Sequence, residues 1–348
     1  MAAKLRCGLS AAASLALVAA GAVLTGPVAH AAVGDVTEYA ISTPSSFPFG
    51  IAAGPDGSVW FTEDIGNKIG KITKSGVITE YTIPTAGSNP IGITAGPDGN
   101  MWFTESGTNK VASVTAYGVI TEYSIPGSYS KPMFIVAGPD GNLWFTQEWI
   151  SKIGRLTTSG AFTEFSPPTG NSAPEGIAVG PDGKLWFSEL GANQVANVTT
   201  AGVFTEYPLP SPGSDPGGVA AGPDGNMWVA ESDANKVAKV TMSGAITEYT
   251  VPTGGARPVY IASGPDGRMW FTEQYGNKIG TVSTQGVFTE YPIPTGSSSP
   301  LGIAVGPDRQ VWFVEDNANN VARIATGRIA VAQVPPAGHP RPRYLRLL

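Results

Sequence analysis

Apolar residues along this chain fall in short runs broken by Gly, Asn, Asp, Ser and Pro, and no stretch of the repeating region reads as a helix. Between residues 50 and 84 four β-type runs can be read, at 51–53, 59–63, 68–73 and 77–83. Asp56-Gly57 suits a tight hairpin that needs a positive φ, Gly66-Asn67 suits the next turn, and Ser75-Gly76 suits the third. The pattern predicts four strands joined by three tight turns.

That unit recurs. Gly-Pro-Asp begins at Gly54, Gly96, Gly138, Gly180, Gly222, Gly264 and Gly306, always 42 residues apart, and a Trp follows six residues after each Gly: Trp60, Trp102, Trp144, Trp186, Trp228, Trp270 and Trp312. Of the 8 Trp, Trp149 alone stands outside the pattern. Four strands in a period near 40 residues predict an all-β, seven-bladed β-propeller, because each small sheet can bury its faces only against its neighbours. A sandwich would not produce seven near-identical copies. The repeated Trp is expected to fill the space between adjacent blades. A Thr-Glu-Tyr or close variant ends six units, starting at Thr79, Thr121, Thr163, Thr205, Thr247 and Thr289, and an extra copy, Thr37-Glu38-Tyr39, precedes the first unit. The last unit lacks it, so residues 36–41 are predicted to supply the outer strand of the last blade, with residues near Ile329 as competitors for that edge.

The propeller is assigned to residues 32–334. Before it, Lys4 and Arg6 precede an uncharged run over residues 9–24 that ends in Ala29-His30-Ala31, the form of a cleaved export signal covering residues 1–31. The expected product is secreted and has no membrane span. The 1 Cys, Cys7, lies within that leader, so no disulfide is expected and packing must hold the fold. Without the leader, 19 basic side chains stand against 27 acidic ones, and no basic footprint for nucleic acid is present. Residues 335–348, with Arg341, Arg343 and Arg346, read as a disordered tail. A closed ring leaves no free sheet edge, so a monomer is expected.

Both of the 2 His lie outside the repeats, at His30 and His339, which removes Ser-His-Asp and Cys-His nucleophilic sites and histidine-ligated zinc from the propeller. Carboxylates remain. Glu63, Glu105, Gln147, Glu189, Glu231, Glu273 and Glu315 follow the Trp-Phe-Thr run at equivalent places. Two readings are open: a ring at the channel mouth able to hold a divalent cation or a protonated acid, or a set of blade-to-blade anchors. Glu315 is the candidate catalytic group, and Glu273 with Glu315 the candidate metal ligands. The outer-strand Glu of Thr-Glu-Tyr reads as solvated surface.

Variation between units points to a ligand. After the Pro that opens each inner strand stand Phe49, Ile91, Met133, Glu175, Gly217, Val259 and Leu301; Phe134 and Tyr260 replace a Gly found in the other units, with Arg257 nearby, and Trp149 and Tyr275 lie on loops. Phe49, Met133, Phe134, Trp149, Glu175, Tyr260 and Tyr275 are the candidate ligand contacts, forming an apolar and aromatic funnel suited to a small-molecule or peptide-like partner.

The units Gly-Pro-Asp-Gly-x-x-Trp-Phe-Thr-Glu, Asn-Lys-Ile-Gly-x-Ile and Ile-Thr-Glu-Tyr-x-Ile-Pro resemble the virginiamycin B lyase (streptogramin lyase) family over essentially the whole mature chain. The resemblance implies a seven-bladed propeller and a Mg²⁺-dependent elimination that opens the ester ring of type B streptogramins without water, an antibiotic-resistance activity. It also implies two inner-strand His, a Glu two positions before the second His, and the Trp-Phe-Thr-Glu carboxylate of that blade. These positions fall here on Val259, Leu301, Ser299 and Glu315, so only Glu315 matches. Two functions are therefore carried forward: a secreted propeller that binds an apolar or peptide-like ligand at the channel mouth, and a Mg²⁺-dependent carbon–oxygen lyase that uses carboxylates. A lactonase-type hydrolase lacks an identifiable Asn/Asp/Glu cluster.

Overall fold

The computed structural model describes residues 32–127 and 129–326. The export signal, the competing edge near Ile329 and the 335–348 tail lie outside the described residues. Seven four-stranded antiparallel sheets make up the propeller, with no helix among the described residues. The first complete blade runs β2 (Pro48–Ala53), β3 (Val59–Glu63), β4 (Lys68–Ile72) and β5 (Ile78–Thr82) from inner to outer edge. The predicted turns hold: Gly57, Asn67 and Gly76 all have positive φ, at 79°, 54° and 88°.

Ring closure follows the predicted route. Strand β1 (Val36–Ala40) pairs with Asn320–Ile324 as the outer strand of blade 7, Val36 opposite Ile324 and Ala40 opposite Asn320. Even the missing turn is rebuilt from two chain ends. In blade 1, Thr73 N–H donates to Val77 O (3.0 Å) and Gly76 N–H to Thr73 O (2.9 Å); in blade 7, Ala325 N–H donates to Asp35 O (2.9 Å) and Gly34 N–H to Ala325 O (2.9 Å).

Each Trp packs into the core of the next blade, as expected: Trp60 lies against Ile93, Met101 and Phe103, and Trp228 against Ile261, Met269 and Phe271. The Gly-Pro-Asp motif exists to hold that indole. In all seven units the Asp carboxylate accepts the Trp Nε1–H at 2.9–3.1 Å. The Gly makes room for the ring, since a Cβ on Gly54 would sit 2.5 Å from Trp60 Cδ1. A buried indole N–H left without its acceptor costs about 1–3 kcal/mol. Asp224→Ala should therefore lower the unfolding free energy by about 1–2 kcal/mol in urea denaturation, with the change of the exposed Val203 to Ala as a near-silent control.

Two polar clamps tie the blades together. Asn67 accepts from Ser88 N–H and Oγ–H (both 2.8 Å) and donates to Ile83 O and Thr85 O (both 3.1 Å). The outer-strand Glu is the second clamp, not solvated surface: Glu122 accepts from Thr85 N–H (3.1 Å), Thr85 Oγ–H (2.9 Å) and Lys110 (3.1 Å). In blades 1, 2, 4, 5, 6 and 7 the entering loop is thus pinned to that blade's own outer strand, whereas in blade 3, where Gly127 replaces the Thr or Ser, Glu164 accepts from Lys152.

Candidate functional site

The mouth of the axial channel is built by a β-bulge. In blade 1 Pro48 faces Glu63, but the next pair is Ile51 with Phe61, so Phe49 and Gly50 together oppose Thr62. The bulge frees a side chain at the position after Pro, and Thr62 Oγ fills the gap by accepting from Gly50 N–H (2.8 Å) and donating to Ile91 O of blade 2 (2.9 Å). A Cβ on Gly50 would come within 2.2 Å of Ile91 O, so inner strands meet backbone to backbone. The same irregularity recurs in every blade, and in blades 1, 4, 5, 6 and 7 the residue after Pro (Phe49, Glu175, Gly217, Val259 and Leu301) lines a common mouth.

A cavity of about 430 Å³ occupies this mouth. Phe49, Val259, Tyr260 and Leu301 give it an apolar wall, and Asp64, Glu175, Asp215, Asp316 and Arg257 give it charge. Phe49, Phe134 and Tyr260, from blades 1, 3 and 6, converge with ring centroids 5.1–6.1 Å apart. Tyr260 also lines a cavity of about 150 Å³ further down the channel, together with Phe134, Ile51 and Ile177. The aromatic trio is therefore the floor of the mouth.

Charge in the mouth is unevenly paired. Arg257 reaches Asp215 at 3.2 Å and Asp233 at 3.7 Å. Glu175 accepts the Tyr260 hydroxyl at 3.1 Å, and Asp64 accepts the Asn89 amide at 2.8 Å. Burial pushes Glu175 up to about 7, partly opposed by that hydroxyl, and pushes Asp316 up to about 6 with help from the charge of Asp64.

The candidate carboxylate ring does not lie at the mouth. Glu63, Glu105, Gln147, Glu189, Glu231, Glu273 and Glu315 are all fully buried inside the blades, and none lines the mouth cavity. Side chains alternate along a strand, so the Glu that ends Trp-Phe-Thr-Glu turns into the blade while the following residue faces the mouth. That following residue is Asp64 in blade 1, Gln274 in blade 6 and Asp316 in blade 7. The anchor reading fails too for Glu231, whose buried carboxyl oxygens accept no hydrogen bond, while Glu63 and Glu273 keep links only within their own blade or its entering loop, to Ser46 and Glu290. Burial, reinforced by the neighbouring outer-strand Glu, lifts Glu63 to about 7 and Glu231 and Glu273 to about 8.

The predicted ligand contacts divide. Phe49, Glu175 and Tyr260 line the mouth and Phe134 its floor. Met133 is buried and lines neither cavity. Trp149 is 63 % exposed on the rim, edge-on to Tyr129 at 5.0 Å with Lys131 over its ring. Tyr275 is exposed beside the mouth, under Arg257 at 5.2 Å, and lines a separate hollow with Gln274 and Ser299. Sequence reasoning missed Asp64, Asp215 and Asp316; the available signal was, for Asp64 and Asp316, variation from blade to blade directly after a nearly constant Glu, and, for Asp215, variation directly before the Pro that opens each inner strand, the position Arg257 holds in blade 6.

The Mg²⁺ that the resemblance implies is not matched by these residues. Hard cations need several converging oxygen ligands. Val259 and Leu301 offer none, Ser299 offers one hydroxyl, Glu315 is enclosed with its Oε2 accepting from Asn320 (3.1 Å), and no group of three or more acidic or metal-binding side chains is assembled among the described residues.

A seven-bladed propeller whose inner-strand bulges surround one aromatic-floored, acidic mouth defines the class of protein. The chain belongs to the virginiamycin B lyase family, whose profile matches residues 22–216 and 196–342. A streptogramin B lyase structure is 36 % identical with a TM-score of 0.81, covering 84 % of this chain and 98 % of that one. A catalytically inactive His-to-Ala variant of virginiamycin B lyase from Staphylococcus aureus, solved with quinupristin, is 36 % identical with a TM-score of 0.80, covering 84 % and 99 %. Virginiamycin B lyase from Bacillus licheniformis is 49 % identical over 41 residues, 12 % of this chain and 14 % of that protein, a match about one blade long.

Proposed function

We propose that this chain is a secreted member of the family that holds an apolar or peptide-like ligand in the mouth and has lost the family's ring-opening elimination. One observation carries the reading: the two positions at which the resemblance places histidines, Val259 and Leu301, both line the mouth cavity and add apolar surface to it. An elimination needs a base to take a proton and an acid to support the leaving oxygen, and each such group contributes about 10²- to 10⁴-fold. An imidazole is absent from the described residues, and Glu315 is sealed inside blade 7. Family membership favours the second reading, a Mg²⁺-dependent lyase that works through carboxylates.

Quinupristin, named with the relative above, separates the two. Titrated into the purified protein by calorimetry, it should bind equally with Mg²⁺ or with chelator, and binding should weaken about tenfold in Phe49→Ala. Chromatography with fragment-ion mass spectrometry should show the intact ring after prolonged incubation, since a linear isomer has unchanged mass but different fragments. Linearisation that chelator abolishes would overturn this reading and establish the lyase.

A further inference from the structure

The mouth cavity holds more negative charge than its own cations balance. Going around the ring, blades 4 and 5 supply Glu175 and Asp215, blade 6 brings Val259 and Tyr260, and blades 7 and 1 supply Leu301, Asp316, Phe49 and Asp64. Arg257 is the cation in the lining, and it is committed to Asp215 and Asp233. Lys131, the nearby cation that Glu175 feels, is tied to Glu148 at 2.6 Å. Among the described residues no ion pair includes Asp64, Glu175 or Asp316. These three carboxyl groups are half-buried beside an apolar wall.

A partly desolvated carboxylate without a cation is disfavoured, and several of them around one cavity are more so, because each raises the cost of ionising the next. A ligand that brings a positive charge relieves that cost, whereas an anionic ligand would add to it. The apolar wall and aromatic floor meanwhile require a ligand body that is mostly nonpolar. We infer that the ligand of the mouth cavity is a cationic amphiphile, an apolar peptide-like body bearing an amine or guanidine that is received between Asp64, Asp316 and Glu175. This inference rests on the proposed use of the mouth as the binding site and adds the ligand's charge.

Three cyclic hexapeptides test it, identical in five apolar residues and carrying Lys, norleucine or Glu at the sixth. Calorimetry on the purified protein at low salt should show the Lys peptide binding at least tenfold tighter than the norleucine peptide, with the Glu peptide weakest. The Lys preference should shrink as salt is raised. In Asp64→Asn/Asp316→Asn, and separately in Glu175→Gln, the Lys peptide should fall toward the affinity of the norleucine peptide, which itself stays unchanged. Phe49→Ala should weaken all three peptides alike. Equal binding of the Lys and norleucine peptides to the unmodified protein would overturn the inference while leaving the mouth reading intact. No binding of any peptide would overturn both, and a Lys preference that survives in both sets of carboxyl variants would overturn the assignment to these residues.

Discussion

A chain that begins at Ser42, lacking residues 32–41, is expected to lose its cooperative thermal transition. What it gives up is the outer strand of blade 7: five residue pairs with Asn320–Ile324, the Tyr39 ring stacked 5.7 Å from Trp312, and the Glu38 carboxylate that accepts from Thr295 N–H and Oγ–H, both at 2.9 Å. Ile41 would also leave the core, and the Asn319 amide, whose Oδ1 holds Ser46 of the entering loop, would lose its acceptor at Ile41 O. Folded domains are stable by only about 5–15 kcal/mol, and a stack, a strand pairing and two charge-assisted hydrogen bonds together approach that range. A permuted chain supplies the control. It begins at Ser42, runs to Ala325, crosses a two-residue Thr-Ser turn and continues into residues 34–41, restoring the five-residue outer turn of the other blades. It should melt within about 3 °C of the parent in calorimetry. A truncated chain that melted as sharply and as high as the parent would show that β1 is not what closes the ring.

The second large effect is on pH. Buried Glu63 is raised to about 7 and Glu231 and Glu273 to about 8, chiefly by burial and then by the charge of the outer-strand Glu. In the unfolded chain these groups titrate near 4.5. Between those values the folded state holds protons that the unfolded state has released, so stability falls as pH rises from about 4.5 to about 8. Glu122, Glu248 and Glu290 act in the opposite sense. Burial raises them, but hydrogen bonds from the entering-loop Thr or Ser and from the adjacent Lys outweigh it and lower them, so their contribution is lost as pH drops below about 4.5. The melting temperature should therefore peak near pH 5 and decline toward pH 8. Blade 3 shows how to remove the decline, because Gln147 fills the same buried position with a neutral amide. Each pKa unit is worth about 1.4 kcal/mol, so Glu231→Gln or Glu273→Gln should stabilise by on the order of 2 kcal/mol at pH 8 and change little at pH 5. Urea denaturation at both pH values measures this, and equal effects at the two would sink the account.

Position in the fold explains why two carboxylates of the same type behave oppositely. Glu80 and Glu63 both belong to blade 1, yet Glu80 meets Lys68 and the Thr43 backbone while Glu63 meets none of these through its carboxyl oxygens. Nothing in the local sequence separates the outer Glu as a clamp from the inner Glu as a buried acid. From the sequence the outer one therefore reads as surface, and the inner one as either a mouth ligand or a blade-to-blade anchor.

The sequence by itself determined the architecture. The 42-residue spacing, the turn residues at positive-φ positions and the displaced Thr37-Glu38-Tyr39 state the number of blades, the strands in each and the route of closure, because these are consequences of local geometry repeated. It also named Phe49, Glu175 and Tyr260 for the mouth, since a position that varies inside an otherwise constant unit is free of the packing that fixes its neighbours. Only the tertiary structure decided which way each side chain faces. One bulge residue per blade shifts the register so that the position after Pro opens on the axis, and the alternation along the second strand buries Glu315 while presenting Asp316. A one-residue step along a strand changes a solvent-facing acid into a buried one, and that step is set by the pairing of strands that the linear chain does not display.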